Sequence, residues 1–237
     1  MTKETAVSTK LRPMPLPKVH EDQFAIVLRG NFNPAIFQPA WFAAKGLIRE
    51  SEATAAAIEM VHPELAQFRA GWLQVSVTRD RFVATTEDPA CQGPLRDLVV
   101  GTFELLEQTP TTALGLNRAM QVDLLDDGAW HGLGHLIVPK EPWANILEKP
   151  GLRAVLMEGE RTDRVPGRRF FRVEPSLKHA HTAFVEVNCE YWPDQKVSGD
   201  NTSYFVGRIR TDWDRVMREA RAGIEALIER ATKEKPK

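Results

Sequence analysis

From Ala183 to Trp192 the side chains alternate in character. Ala183, Val185, Val187, Cys189 and Tyr191 fall on one side, and Phe184, Glu186, Asn188, Glu190 and Trp192 on the other. A period of two marks a strand with one face in a core and one face outside it. Antiparallel sheets accept that arrangement because only one of their faces must be covered.

The same rule recurs elsewhere. Leu73, Val75 and Val77 alternate with Gln74, Ser76 and Thr78. Arg79 and Asp80 then turn the chain, and Phe82 and Val83 begin the return strand. Leu114, Leu116, Met120, Val122 and Leu124 share one face of a further strand, which ends at an Asp126-Asp127-Gly128 turn. Phe24 to Leu28, Leu152 to Gly159, Arg168 to Glu174 and Tyr204 to Ile209 also read as strands, with Pro166-Gly167 as a turn.

Helical spacing covers the remaining apolar stretches. Pro39 suits the first turn of a short helix carrying Trp41, Phe42 and Ala44, closed by Lys45 and Gly46. Ser51 is placed to cap a second helix through Ala55, Ala56, Ala57 and Ile58, ended by Pro63. Leu95, Leu98, Val99, Phe103 and Leu106 stripe a helix from Pro94 to Gln108. The strongest pattern comes last. Trp213, Val216, Ala220, Ile224, Leu227 and Ile228 lie on one stripe, opposite Arg215, Arg218, Glu219, Glu225, Glu229 and Arg230, with Thr211 or Asp212 as the cap.

These elements imply an α+β fold. It is a two-layer sandwich, an antiparallel β-sheet with helices on one face and a long C-terminal amphipathic helix. Residues 23–231 read as a single domain. Its halves, 23–110 and 111–231, share the order strand, helix, strands, helix. Pro13, Pro15 and Pro17 make residues 1–22 an extended arm, and residues 232–237 a charged tail. The uncovered sheet face is then either solvated or occupied by a partner.

Charge narrows the partners. The 31 basic and 32 acidic residues leave a net charge of -1, which gives no general attraction to nucleic acid or to anionic membranes. No apolar run approaches the roughly 18 residues of a membrane span. Met1 to Lys10 is polar, unlike a secretory signal. Cys91 and Cys189 match no metal or redox spacing. A cytoplasmic protein fits these features.

No phosphate-binding glycine loop and no nucleophile elbow occurs, so no catalytic residue and no cofactor is assigned. His131 and His135 are four apart, as two zinc ligands on one helix face would be, with Asp126 and Asp127 upstream. Gly132 and Gly134 weaken the helix that this geometry needs. His179 and His181 would share a side only within a strand. Glu186 and Glu190, on the wet side of their strand, are read as carboxylates about 7 Å apart by strand geometry. Arg161, Arg164, Arg168, Arg169 and Arg172 gather around the Pro166-Gly167 turn, diluted by Glu160, Asp163 and Glu174. Six tryptophans exceed what one core needs, and the Trp130 to Trp143 stretch reads as an exposed binding segment. Cys91, with no histidine near it in sequence, is not a nucleophile, and Cys189 belongs to the core.

The leading expectation is a non-catalytic binding or scaffold subunit of a protein assembly or homo-oligomer. It would use the open sheet face, the N-terminal arm, or both. Two alternatives stand beside it. One is a metal-dependent hydrolase centred on His131 and His135. The other is a nucleic-acid contact through the arginine-rich hairpin near Arg168.

Overall fold

The computed structural model describes residues 18–193 and 201–233. A nine-stranded antiparallel sheet carries the fold. In chain order its strands are β1 (Val19–Gly30), β2 (Ala57–His62), β3 (Leu65–Ala70), β4 (Leu73–Thr78), β5 (Arg81–Thr86), β6 (Thr111–Asp123), β7 (Val155–Glu160), β8 (Arg168–Pro175) and β9 (Thr182–Tyr191). Across the sheet they run β2-β3-β4-β5-β1-β6-β9-β8-β7. The helices are α1 (Pro39–Ala44), α2 (Glu50–Thr54), α3 (Gln92–Leu105), α4 (Asp127–Ile137) and α5 (Asn201–Lys233).

Two long strands, β1 and β6, pair at the centre. Each is followed by helical structure, then by a meander whose last strand returns to pair with it. That last strand is β5 for β1 and β9 for β6. α3 follows the first meander and α5 the second.

One face of the sheet is packed under the helices. Phe24, Ile26 and Leu28 of β1, Leu114 and Leu116 of β6, and Leu95, Val99 and Phe103 of α3 join Phe205, Ile209, Trp213 and Val216 of α5 in one apolar cluster. A second cluster joins Met120, Val122 and Leu124 to Val185, Val187 and the later α5 residues Ala220, Ile224 and Ile228. The amphipathic stripe therefore does what its spacing demands: one helix spans both clusters. Among the described residues no helix is long and apolar enough to cross a membrane.

Several expected boundaries move. Tyr204 to Ile209 is not a strand but part of α5, which runs for 33 residues. Phe205, Ile209 and Trp213 recur every four residues, so the helical period continues upstream of Trp213 and overrides the local β propensity. Asp212 consequently lies inside α5 rather than at its cap, held by Arg208 at 3.0 Å. The second helix ends at Thr54. Ala57 and Ile58 belong to β2, which ladders onto β3 around a turn at Pro63. Its alanines favour helix, but the ladder with β3 decides the outcome. Asp126 does not make a turn; it caps α4 by accepting from Ala129 N at 2.8 Å. Of the expected arm, Val19 to Asp22 form the start of β1. Residues 1–17, with Pro13, Pro15 and Pro17, lie outside the described residues.

Candidate functional site: the open face of the sheet

The alternate side chains of the central strands point away from the helices. Reading across the sheet, Ala25 pairs with Asn117, Asn117 with Asn188, and Asn188 with Phe170. In the next row Ala119 pairs with Glu186, and Glu186 with Arg172. A row on the other side sets Val27 beside Gly115, and Gly115 beside Glu190. The floor is thus built from small residues. Arg29, Arg81, Arg172, Phe170 and Leu156 stand around it and enclose a trough of about 370 Å³.

Among the described residues no helix covers this face, yet its centre is withdrawn from water. Asn117, Ala119 and Gln121 are all less than a tenth exposed. Larger side chains on the flanking strands shade them. Two carbonyl oxygens pay for that shading: Asn188 Oδ1 and Gln121 Oε1 are sealed and have no hydrogen-bond partner. Among the described residues the Asn117 amide and the Glu190 carboxylate also have none. The Arg81 guanidinium is likewise unpaired there, whereas Arg29 is held by Asp80 at 3.1 Å and Arg172 by Glu174 at 2.7 Å. Burial pushes the Glu186 carboxyl above the usual carboxylate range, and the positive charges of Arg172 and Arg81 offset this only in part. The expected 7 Å spacing of Glu186 and Glu190 does not hold. They lie four residues apart with Asn188 between them, roughly 13 Å along the strand at about 3.3 Å per residue.

The other sequence candidates disperse. His131 and His135 do share α4, so Gly132 and Gly134 do not break the helix as expected. Gly132 is buried there. No metal set forms around the two histidines. Asp126 is the helix cap, and Asp127 pairs with His181 at 2.6 Å. Among the described residues no group of three or more His, Cys, Asp or Glu is arranged to hold a metal ion. His179 and His181 sit in the loop between β8 and β9 and part company. His179 stacks on His20 with ring centroids 4.4 Å apart, while His181 turns to Asp127.

The arginine cluster is not a free fingertip. Arg168 pairs with Glu158 on the open face at 3.3 Å. Arg169 crosses to the helix face, where it meets Glu219 and donates to Cys189 Sγ at 3.2 Å. Arg161 is buried, chelates Asp163 and lies 3.9 Å over the Tyr191 ring. Burial alone would raise the Asp163 carboxyl, but its hydrogen bonds from Arg161 and Arg215 hold it well below the usual range. These arginines fasten the β7–β8 hairpin to α5.

A second cavity, of about 840 Å³, lies beside α4, bounded by Trp130, His131, Leu133, Leu147, Leu152 and Val173. Trp143 is 43% exposed nearby, but Leu133 is buried, so the Trp130 to Trp143 stretch is exposed only in part and not throughout as expected. Burial and a neighbouring Asp88 raise the Cys91 thiol, which makes it a poor nucleophile. Cys189 is fully buried in the core.

No protein-family model and no curated protein sequence matches this chain. The site is therefore read from its own geometry.

Proposed function

We propose that the chain is a non-catalytic binding subunit whose open sheet face holds another protein. One observation carries the reading. The centre of that face contains polar groups removed from water and left without partners, Asn188 Oδ1 and Gln121 Oε1, beside a trough floored by small residues. An unmet buried polar atom costs about 1–3 kcal/mol. A partner that displaces the side chains shading these atoms and donates to them removes that cost. The aromatic Phe170 and Phe184 and the unpaired Glu190 and Arg81 supply both apolar area and directed polar contacts, the mixture found at protein interfaces.

The test is native mass spectrometry of the full chain purified from its own cells without chelator, compared with Val27→Trp. Val27 lines the trough on the uncovered face, so tryptophan there fills the trough without entering the core. A multimeric mass that disappears in the variant, at unchanged melting temperature, supports the reading. A monomer in the unaltered protein, or an assembly indifferent to the filled trough, overturns it. A monomer carrying metal would direct attention to His131 and His135 instead.

A further inference from the structure

The cavity beside α4 lies away from the open face. Its floor is Leu133 of α4, Val173 of β8 and Ala183 of β9, all buried members of the second apolar cluster. Trp130, Leu147, Pro150, Leu152 and Pro175 add apolar walls. The rim carries charges of both signs, Lys140 and Lys149 with Glu141, Glu148 and Glu174, so it selects no ion. The first half of the fold packs the matching space. There Phe37 meets Phe82 of β5 at 5.3 Å, and Phe42 of α1 meets Phe68 of β3 at 5.7 Å. Beside α4 about 840 Å³ is left instead. Apolar walls offer water few partners, so the space suits an apolar occupant.

The chain itself brings one to the spot. Lys18 O accepts from Asp123 N at 2.8 Å, and Asp123 pairs with Thr182. The adjoining Ala183 pairs with Pro175 of the cavity wall. Pro175 is thus three strand spacings from Lys18, about 14 Å at roughly 4.8 Å each. His20 stacks on His179, and Glu21 binds Lys178 at 2.7 Å, which fixes the entry of β1 against the β8–β9 loop. Leu11 to Pro17 span about 22 Å at roughly 3.1 Å per residue, in the extended form that Pro13, Pro15 and Pro17 favour. That length reaches the cavity. The trough, by contrast, begins only at Val27, farther along β1 and on the other face.

Composition agrees with reach. Prolines alternate with Met14 and Leu16, and three residues per turn set Leu11 and Met14 on one side. Pro-rich segments of this kind dock on apolar grooves lined by aromatic rings, and Trp130 supplies such a ring here.

We propose that residues 11–17 of this chain dock in the cavity beside α4, with Leu11 and Met14 against Trp130, Leu147 and Leu152. The arm is then a strap within one chain, independent of what meets the open face.

The experiment compares nuclear magnetic resonance spectra of three isotope-labelled proteins. They are the full chain, a chain lacking residues 1–17, and the full chain carrying Leu11→Glu with Met14→Glu. The Trp130 indole N–H, assigned through Trp130→Phe, and the methyl groups of Leu147 and Leu152 report on the cavity. Both variants should move these resonances in the same direction, whatever the protein concentration. A synthetic peptide of residues 9–17, at millimolar concentration to replace the tether, should return them saturably in the shortened chain. Cavity resonances that coincide in all three proteins overturn the proposal, as does a peptide that leaves them unmoved. A docked state lost on dilution also overturns it, and gives the cavity to the arm of a second copy. If the shortened chain does not fold, the double variant alone carries the same decision.

Discussion

Arg118 grips Asp22 with two parallel hydrogen bonds, from Nε to Oδ1 at 2.8 Å and from Nη2 to Oδ2 at 2.6 Å. The pair sits on the helix face, where β1 meets β6. Arg118 also donates to the Met217 carbonyl at 2.9 Å and lies over the Phe24 ring at 4.8 Å. Along β6 it falls between Leu116 of one apolar cluster and Met120 of the other. A buried pair of this kind adds little net stability, but breaking it is costly, because one charge is left uncompensated. Asp22→Ala should therefore destabilise the protein by about 3–5 kcal/mol. The double change Arg118→Met with Asp22→Leu should recover most of that loss. Urea unfolding of the three proteins checks this, and a near-neutral Asp22→Ala would mean that the guanidinium reaches water.

That pair marks the limit of pattern reading. The stripe Leu114, Leu116, Met120, Val122, Leu124 was legible as one face of a strand, and it skips position 118. The signal for the buried ion pair was that gap, a charged residue at an inward-facing position, but its partner lies 96 residues away. The β4–β5 hairpin, α3 and most of α5 followed from local periodicity; the β2–β3 hairpin did not, because its first strand opens on Ala57 and Ile58, which read as helix. The pairing of β1 with β6 did not, because no local rule brings Phe24 against Arg118. The polar side of β9 was legible as Phe184, Glu186, Asn188, Glu190 and Trp192. Its enclosure into a trough was not. The floor comes from Val27, Ala113 and Gly115 and the wall from Arg29 and Arg81, all on other strands.

Asp163 links stability to pH. It binds Arg161, whose side chain is 2% exposed, and also Arg215 on α5 at 2.9 Å. Its carboxyl is held below the unfolded value of about 3.9. A depressed carboxylate stabilises the fold above the unfolded pKa, and that contribution is lost as pH falls through the folded pKa. Asp163→Asn should cost about 3 kcal/mol or more at pH 7 by stranding Arg161. The gap between wild type and variant should stay level down to about pH 4 and close below it. Unfolding titrations from pH 7 to pH 2 test the sign, and a gap that widens in acid would contradict it.

Gly167 holds the β7–β8 hairpin against β9. Its φ is +144°, and a Cβ there would run into the Glu190 carbonyl and the adjoining backbone. The contact is with main chain, so no side-chain rotation relieves it. Gly167→Ala should cost more than about 1 kcal/mol. It should also loosen the Trp192 N to Pro166 O hydrogen bond, 3.0 Å long, that closes the hairpin tip. Hydrogen exchange at Trp192 should then accelerate well beyond the change in global stability. Uniform exchange across the sheet would argue against this local role.

Glu186 offers the separation that a binding face requires, between what stabilises the fold and what meets a partner. Burial raises its carboxyl above the unfolded value of about 4.3. A raised carboxyl works against the fold as a charge. Its penalty is absent below the unfolded pKa and complete once pH passes the folded pKa. Glu186→Gln removes that penalty while keeping the side chain's shape. The variant should melt higher than wild type at pH 8, with the advantage gone below about pH 4. The same change deletes a charge that lines the trough of the open face, so partner affinity should fall at the pH where stability rises. Stability and affinity falling together at pH 8 would instead make Glu186 a structural carboxylate, held for Arg172 rather than for a partner.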